Sequence, residues 1–384
     1  MFFQSLPKSK EEKKSLVLEI QSGLIRGVLF TNGSDNNPIV LQVIIRKIER
    51  KIHTNNQYIY KKMLKTLSEI CSLISENNYI DNIDIVLSSP WSLSHSKKIK
   101  MTFTNDTEIE HKLLSGIVKE EKKKMSDEFE IKYKNLLSSK SHFKYIEHKI
   151  FDIKLNGYSV TDYIGKKVRS IEISFAMTLS LETILDDIKD IISKKINTKK
   201  IEFHSSLLLN FLSLRNLIPE KDDYIYIHIH NELTDIIVVK RGVCVNISSF
   251  PIGISSIVRK VSHTFNQNDS VSDSMISLYQ GDKLSNIENR KIKNIFNEFE
   301  RNWLLNYKKT VETLNNLNEI PRLIILFTHS HSDIFKNILN NSNEDKIHII
   351  DFNLEELNSN VSFKNLSDKS QSIELYIHIL NDML

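Results

Sequence analysis

Residues 224–253, YIYIHIHNELTDIIVVKRGVCVNISSFPIG, contain three apolar runs separated by two short polar turns. Isoleucine, valine and tyrosine dominate the runs, whereas Asn231-Glu232 and Arg241-Gly242 stand between them. β-branched runs joined by such pairs predict three consecutive antiparallel strands, each paired with the one before it.

Residues 16–50 repeat this pattern nearer the start of the chain. The stretch LVLEIQSGLIRGVLF, residues 16–30, predicts a hairpin around Ser22-Gly23, and residues 39–50 predict a third strand. Residues 57–77 then place apolar side chains at helical spacing. Two such units within one chain predict a duplicated α/β design of two lobes with a cleft between them.

Other segments predict the elements that connect and follow these units. Thr104 to Thr107 offer capping side chains for a long charged helix that reaches about residue 137. Residues 266–274 predict weak structure. Further predicted strands are residues 83–89, about 98–103, 145–155, 167–179, 201–203, 322–327 and 347–351, and further helices are 181–196, 205–214, about 287–317 and 372–384.

Composition indicates a folded chain of several subdomains and excludes some function classes. Of 384 residues, 40% are hydrophobic and 26% charged. The formal net charge of +4 shows no concentrated basic excess, so no nucleic-acid partner is expected. Cys71 and Cys244 suggest neither a disulfide framework nor a thiolate metal site. This cysteine usage and the lack of a run of 18 apolar residues predict a cytoplasmic protein, peripheral at most at the inner face of the membrane.

The order of these segments resembles the FtsA and PilM branch of the actin-like superfamily, over about residues 15–384. In that branch the fold is two-lobed and ribonuclease H-like. The stretch LEIQSGLIRGVL is similar to the family's first phosphate loop. Glu19 stands at the family's aspartate, Gln21 at its glycine and Ser22-Gly23 in the turn.

Two later segments resemble the other nucleotide loops of the family. In the second phosphate loop Thr234, Asp235, Gly242, Pro251 and Gly253 match, whereas His228, His230, Asn231 and Glu232 replace an aspartate and three glycines. In LIILFTHSHSDIF, which is similar to the adenosine loop, Thr328 and Ser332 match, whereas His329, Ser330 and His331 replace glycines. The resemblance thus implies a candidate nucleotide-binding set of Glu19, Gln21, Ser22, Gly23, His228, His230, Asn231, Thr234, Asp235, Thr328, His329, Ser330 and Ser332.

The lost glycines argue against catalysis. Glycine lets backbone N–H groups approach a phosphate closely, and bulky side chains block that approach. A histidine at residue 228 suits Mg²⁺ poorly, since Mg²⁺ prefers oxygen ligands, and Glu232 adds negative charge where a triphosphate would sit. We therefore expect no cofactor, or weakly bound ATP with Mg²⁺, and assign no catalytic residue and no metal site.

The resemblance implies a scaffold or adaptor like PilM or FtsA, linking a membrane-associated pilus-assembly or cell-division machine to cytoplasmic partners. The alternative is an ATPase that binds Mg·ATP through altered loops. Protein partners are expected at the inserted subdomain, with a peptide from a membrane protein as a candidate. The resemblance separately implies a homo-oligomer as a candidate assembly.

The resemblance also implies a division of the chain into subdomains. The expected parts are a flexible tail (1–14), the first lobe (15–79 and 179–200), an inserted SHS2-type subdomain (80–178), the second lobe (201–260 and 320–369), a helical subdomain (261–319) and a closing helix on the first lobe (370–384).

Four histidines suggest a further hypothesis. His228 and His230 lie two apart on a strand, so their side chains share one face, and His329 and His331 are expected on the facing loop. Four converging imidazoles would suit Zn²⁺. Histidine pairs on strands are more often solvated or hydrogen-bonded, and that interpretation is favoured.

A serine hydrolase is not favoured. Ser88, Ser89 or Ser330 would need a glycine-flanked nucleophile turn, which the sequence lacks. Trp91 and Trp303 are expected to anchor the core or an interface.

Overall fold

Three β-sheets organise the part of the chain that the computed structural model describes. That part comprises residues 13–33, 38–48, 56–75, 79–133, 142–218, 222–313, 320–328, 330–342, 347–351 and 362–363. The strands are β1 (Lys14–Ile20), β2 (Leu24–Asn32), β3 (Pro38–Lys47), β4 (Ile80–Leu87), β5 (Leu93–Glu108), β6 (Phe143–Leu155), β7 (Tyr158–Ser159), β8 (Lys167–Leu181), β9 (Thr198–Ser205), β10 (Tyr224–Ile229), β11 (Thr234–Lys240), β12 (Val243–Phe250), β13 (Leu323–Thr328), β14 (His348–Asp351) and β15 (Ser362–Phe363). The helices are α1 (Asn56–Ser75), α2 (His111–Tyr133), α3 (Glu182–Lys195), α4 (Ser206–Leu217), α5 (Ile254–Phe265), α6 (Asp269–Gln280), α7 (Asn286–Thr313) and α8 (Ser332–Asn340).

The first sheet has the strand order β15-β3-β2-β1-β4-β9. β1, β2 and β3 form the predicted antiparallel unit, and β4 and β9 continue it in parallel. Apolar side chains such as Leu18, Ile20 and Ile85 point to α1 and α3 on one face of this sheet. The helix that follows the three strands thus covers the face that alternation buries.

The second sheet repeats this plan with the order β12-β11-β10-β13-β14. β10, β11 and β12 are antiparallel, whereas β13 and β14 run parallel to β10. One face packs on α5, α6, α7 and α8, around Trp303 and Phe335. The predicted duplication of the three-strand unit is therefore confirmed.

A shared apolar core joins the two sheets. Leu208 and Phe211 of α4 are fully buried between Phe30 of β2 and Tyr226 of β10. Both sheets contribute their other face to this core. The two lobes therefore pack against each other through α4, which lies between these faces of the two sheets.

The third sheet has the order β5-β8-β6-β7, and its apolar face packs on α2 around Phe175 and Met177. It also contacts the second lobe, because the backbone N–H of Ile247 donates to Ser96 Oγ at 2.8 Å. The third sheet is thus held against the second sheet.

Two element predictions are wrong. β5 continues through Thr104–Thr107 to Glu108, so these residues do not cap the helix, which begins at His111. The pairing of Thr107 with Val168 keeps this polar stretch extended. Residues 269–280 form α6, whose Asn268 side chain accepts the N–H of Val271 as an N-cap.

The remaining predictions concern the two tryptophans, the two ends of the chain and membrane-spanning segments. Trp91 and Trp303 are 7% and 0% exposed, which confirms them as core residues. The predicted closing helix at 372–384 and most of the predicted tail lie outside the described residues. None of the helices in the described ranges combines the length and the hydropathy of a membrane-spanning segment.

Candidate functional site

The turn of the first hairpin and the loop between β10 and β11 meet where the lobes join. The Asn231 side chain occupies the space beside Gly23, so that a Cβ on Gly23 would collide with Nδ2 and lie 2.5 Å from Cγ. Ser22 is buried in the same turn. The structure thus brings together the first and second loops that the sequence singled out.

Glu19 is fully buried at the end of β1 and is bound by side chains of its own hairpin. Arg26 Nη1 donates to Oε2 at 2.8 Å, and Gln21 Nε2 donates to Oε1 at 2.7 Å. Glu19 and Arg26 are direct cross-strand partners in the β1–β2 register. The carboxylate therefore neutralises a buried guanidinium next to the junction of the lobes.

Asp235 is fully buried on β11 and accepts three side-chain hydrogen bonds. Ser249 Oγ donates to Oδ1 at 2.5 Å, His230 Nε2 lies 2.9 Å from Oδ2, and Ser89 Oγ lies 3.1 Å from Oδ2. Ser89 follows β4 of the first lobe, so this hydrogen bond crosses between the lobes. Three donors take up most of the lone pairs that a carboxylate offers.

Tyr226 lies near both carboxylates. Burial raises the pKa of Tyr226, and the negative charges of Asp235 and Glu19 raise it further. The phenol is therefore neutral at physiological pH. Tyr226 thus stays protonated between a carboxylate of the first sheet and one of the second.

His228 and His230 lie side by side, as the two-residue spacing predicts. Their ring centroids are 3.7 Å apart, and Phe327 packs edge-on against His228 at 4.7 Å. The amide nitrogen of Asn210 lies 3.2 Å from His228 Nδ1, which must accept because an amide NH₂ only donates. Both imidazoles are held by hydrogen bonds inside the protein, which is the favoured interpretation.

The backbone of the second loop caps α5. Ile254 N donates to His230 O at 3.0 Å, and Ser255 N donates to Asn231 O at 2.8 Å. A Cβ on Gly253 would lie 2.6 Å from Asn231 O, so only glycine allows this approach. The first N–H groups of α5, which could otherwise bind an anion, thus donate to carbonyl oxygens of the loop.

Neighbouring side chains of this loop are also paired. Thr234 Oγ1 donates to Ile252 O at 2.7 Å and accepts the Trp303 indole N–H at 3.1 Å. Both oxygens of Glu232 lie 2.9 Å from Arg259 Nη1 of α5. The negative charge that Glu232 was expected to add is therefore balanced by an arginine.

The third loop starts beside the second, because Thr328 pairs with Ile229 in the β10–β13 register. Thr328 Oγ1 donates to Ser330 O at 2.9 Å, and Ser330 is exposed, whereas Ser332 is the first residue of α8. His331 keeps a left-handed backbone, with φ 57°, at a position where the family has glycine. His329 lies outside the described residues.

The His331 side chain is bound to α6. Its Nε2 lies 2.8 Å from Asp273 Oδ1, and its Nδ1 lies 2.8 Å from Gln280 Oε1. The His331 hydrogen bond lowers the pKa of Asp273, as do the charges of His331 and Lys47. Both ring nitrogens of His331 thus contact α6. The zinc hypothesis needs them to converge with His228 and His230 instead.

These residues do not fit a Mg²⁺-bound triphosphate. Asn231 fills the space beside Gly23, the loop carbonyls occupy the first N–H groups of α5, and Asp235 is bound by three donors. A nucleotide would have to displace these buried contacts, and each one left unmade would cost about 1–3 kcal/mol.

Sequence reasoning missed the partners of the loop residues. The register of a hairpin closed by Ser22-Gly23 places Arg26 opposite Glu19, so that pair could have been found. Ser89, Ser249 and Asn210 carry no such local signal. Their contacts depend on how β4, β12 and α4 pack around β10 and β11.

Comparison with known proteins adds evidence on the fold. No protein-family model and no curated protein matches the chain. A solved structure of a PilM–PilN type IV pilus biogenesis complex is 10% identical, covers 97% of this chain and 98% of that one, and has a TM-score of 0.57.

Two further solved structures are similar at lower scores. A Bacteroides thetaiotaomicron protein with an actin-like ATPase fold and unknown function is 10% identical over 98% of this chain and 99% of that one, with a TM-score of 0.41. The ethanolamine utilization protein EutJ from Carboxydothermus hydrogenoformans is 9% identical over 90% and 85%, with a TM-score of 0.40. The similarity to the PilM–PilN structure over nearly the whole chain supports the two-lobed actin-like fold that the duplicated strand units and loop order predict.

Proposed function

We propose that this chain is an actin-like scaffold or adaptor of the PilM and FtsA kind. It would link a membrane-associated pilus-assembly or cell-division machine to cytoplasmic partners, without efficient ATP hydrolysis. The observation that carries this proposal is the closed contact between the lobes, where Asn231 packs on Gly23 and Ser89 binds Asp235.

Fixed lobes favour a scaffold over a nucleotide-driven enzyme. Enzymes of phosphoryl transfer act almost entirely by positioning the phosphates and stabilising their charge. In this chain the side chains and N–H groups at the positions of the nucleotide loops form contacts within the protein. A shared core of α4, Phe30 and Tyr226 also fixes the two lobes relative to each other. A surface of constant shape suits a partner that must be held in one place.

The inserted subdomain is the proposed partner-binding part. Its order of strand, helix, strand and strand (β5, α2, β6 and β8) supports an SHS2-type assignment. The similar solved structure is a complex of PilM with PilN, which supports a protein partner here as well. We propose that the part of residues 80–178 that forms the third sheet and α2 binds a peptide of a membrane protein. The lobe on which it sits comprises residues 15–79 and 179–200 together with β4 and β9, because both strands belong to the first sheet.

Nucleotide binding tests this proposal directly. We expect the melting temperature of the full chain to be unchanged by millimolar Mg·ATP, because a ligand raises it only by binding the folded state. Mg²⁺ without nucleotide serves as the control. A rise of several degrees that requires ATP would contradict a scaffold with filled loops.

The carboxylate of Glu19, at the position of the family's aspartate, favours the alternative, an ATPase with altered loops. Phosphate release per folded chain would then fall in the Glu19→Gln variant, which keeps the size of the side chain and removes its charge. Circular dichroism checks that this variant still folds without the charge that balances Arg26. Background release that is equal in both proteins supports the scaffold.

The partner can be sought with the full chain fused to a biotin ligase. We expect labelling of a membrane protein of a pilus or division machine, and loss of that labelling when residues 93–181 are removed from the fusion. Labelling that survives this deletion would argue against the inserted subdomain as the binding part.

A further inference from the structure

A group of metal-ligating side chains lies on the first sheet, away from the junction of the nucleotide loops. Asp84 of β4 pairs directly with Glu202 of β9, and His204 lies two residues beyond Glu202 on the same strand. The three side chains therefore share one face of the sheet. One ligand atom from each of them lies within 4.8 Å of the others.

Asp84 is buried with one oxygen unsatisfied. The residue is 3% exposed, and its Oδ1 lies 2.9 Å from His204 Nε2. Its Oδ2 is also buried, and within the described part of the chain it accepts no hydrogen bond. A buried carboxylate oxygen usually has a donor or an ion as its partner, so this atom calls for one.

The spacing suits a small divalent cation. Bonds of about 2.0–2.2 Å from a tetrahedral Zn²⁺ place neighbouring ligand atoms about 3.3 Å apart. The His204 Nε2 and Asp84 Oδ1 atoms, at 2.9 Å, would need to separate by only a few tenths of an ångström. The two carboxylates supply the charge that neutralises a divalent ion.

Glu147 of β6 completes the arrangement from the inserted sheet. Its Oε2 lies 4.0 Å from His204 Nδ1, and its Oε1 accepts the N–H of Ser205 at 2.5 Å. A metal-bound histidine usually donates its second ring N–H to a carboxylate, which orients the ring. His204 Nε2 is thus the ligand atom, with Glu147 behind the opposite nitrogen.

The site is accessible to an ion from solvent. The Glu202 side chain is 44% exposed, and it pairs at 2.7 Å with Nζ of Lys200, whose side chain is 52% exposed. A lysine can move aside without loss of a buried contact, since such surface pairs contribute little to stability.

The geometry points to a Zn²⁺ site formed by Asp84, Glu202 and His204, with water in the fourth position. A nitrogen with two carboxylates favours a transition metal over Mg²⁺ or Ca²⁺, which prefer oxygen ligands alone. Because Glu147 belongs to the inserted sheet, the bound ion clamps that sheet to the edge of the first lobe.

The test is a titration of the full, tag-free and chelator-treated chain with Zn²⁺ alone, followed by calorimetry, with Co²⁺ as a visible-absorbing substitute. We expect one ion per chain and d–d bands typical of low coordination number. Glu202→Gln and His204→Gln should each weaken the affinity at least about tenfold. Glu202 is partly exposed, so its variant should fold, and circular dichroism checks that it does.

Asp81→Asn is the matched control, because Asp81 lies on β4 with Asp84 but binds Lys199 instead of Glu202 or His204. It should bind Zn²⁺ as the unmodified chain does. Absence of stoichiometric binding by the unmodified chain would overturn the proposal. So would equal affinities in Glu202→Gln, His204→Gln and Asp81→Asn, since the ion would then lie elsewhere.

Discussion

At the scale of single residues, a buried ion pair fixes the first hairpin beside the junction of the lobes. Glu19 and Arg26 are both buried and lie opposite each other on β1 and β2. In the sequence Glu19 stands at the aspartate of the first phosphate loop that the resemblance implies. Its guanidinium partner gives it a structural role, because removing either member leaves an uncompensated charge inside the protein.

Arg26→Met is therefore expected to destabilise the chain by about 3–5 kcal/mol in urea unfolding. Lys65→Met serves as the control, since Lys65 and Glu69 form an exposed pair on α1. Its loss should cost less than about 0.5 kcal/mol. Equal effects of the two changes would show that the Glu19–Arg26 pair is not structural.

The two thiols offer a second prediction at this scale. Burial raises the pKa of Cys71 to about 12, and it raises the pKa of Cys244 as well. The thiolate is the reactive form. We expect no reaction with a disulfide reagent at pH 8 in the native protein, and reaction of two thiols per chain in guanidinium. Rapid reaction of the native chain would contradict their burial.

The same shifts determine how stability depends on pH. A pKa raised above its unfolded value means that the unfolded chain releases protons first, so stability is full below about pH 8.5 and falls as pH rises toward the folded values. The buried Tyr226 acts in the same direction. The urea midpoint should be level from pH 7 to 8 and should fall above about pH 9. A rising midpoint in that range would contradict this.

At the scale of elements, the loop between β10 and β11 is fastened to the start of α5. Gly253 allows the carbonyls of His230 and Asn231 to reach the helix N-terminus. The sequence indicated Gly253 through the resemblance to a phosphate loop. The structure gives a different reason for glycine there, which is the close approach of two backbone segments.

Gly253→Ala should destabilise the chain by about 1–3 kcal/mol, because its Cβ meets backbone atoms that cannot move alone. Gly116→Ala is a matched control, since no atom lies within 4 Å of a Cβ there and the residue is inside α2. That change should stabilise by about 0.5–1 kcal/mol. Thermal unfolding of both variants measures the contrast, and a neutral Gly253→Ala would show that the loop can move away.

Local patterns predicted the strands of both three-strand units because alternation and short turns are properties of neighbouring residues. These patterns gave wrong predictions where contacts between residues distant in sequence determine the secondary structure. Thr104–Thr107 look like helix caps, yet β5 continues through them and Thr107 pairs with Val168 of β8. The polar α6 lacks a strong apolar stripe in sequence, and its burial of Ile276 against neighbouring helices stabilises it.

At the scale of the whole molecule, the duplicated units predicted two lobes, and the contacts between the lobes could not be predicted. Asn231 reads as a lost glycine in the sequence, but which way its side chain points depends on the position of the first hairpin. The sequence suggests only a nucleophile role to consider for Ser89, whereas Ser89 binds Asp235 across the junction. Such contacts follow from the packing of α4 between the sheets.

The packing around α4 predicts that the lobes unfold together. Residues of both sheets share one core with α4, so opening one lobe exposes apolar surface of the other. Such coupling makes a chain of several subdomains behave as one cooperative unit, whereas a weak interface lets them melt separately.

The two tryptophans report on the two lobes. Trp91 packs in the core of the first sheet with α1 and α3, and Trp303 packs in the core of the second sheet with α5 and α8. Trp91→Phe leaves fluorescence from the second lobe alone, and Trp303→Phe leaves it from the first. Within each variant, the urea transition seen by fluorescence should coincide with that seen by far-ultraviolet circular dichroism. Comparing two probes in one protein removes the effect of the substitution on stability. Separate midpoints in either variant would mean that the shared core and the Ser89–Asp235 hydrogen bond do not couple the lobes, and a scaffold of fixed shape would then lose its physical basis.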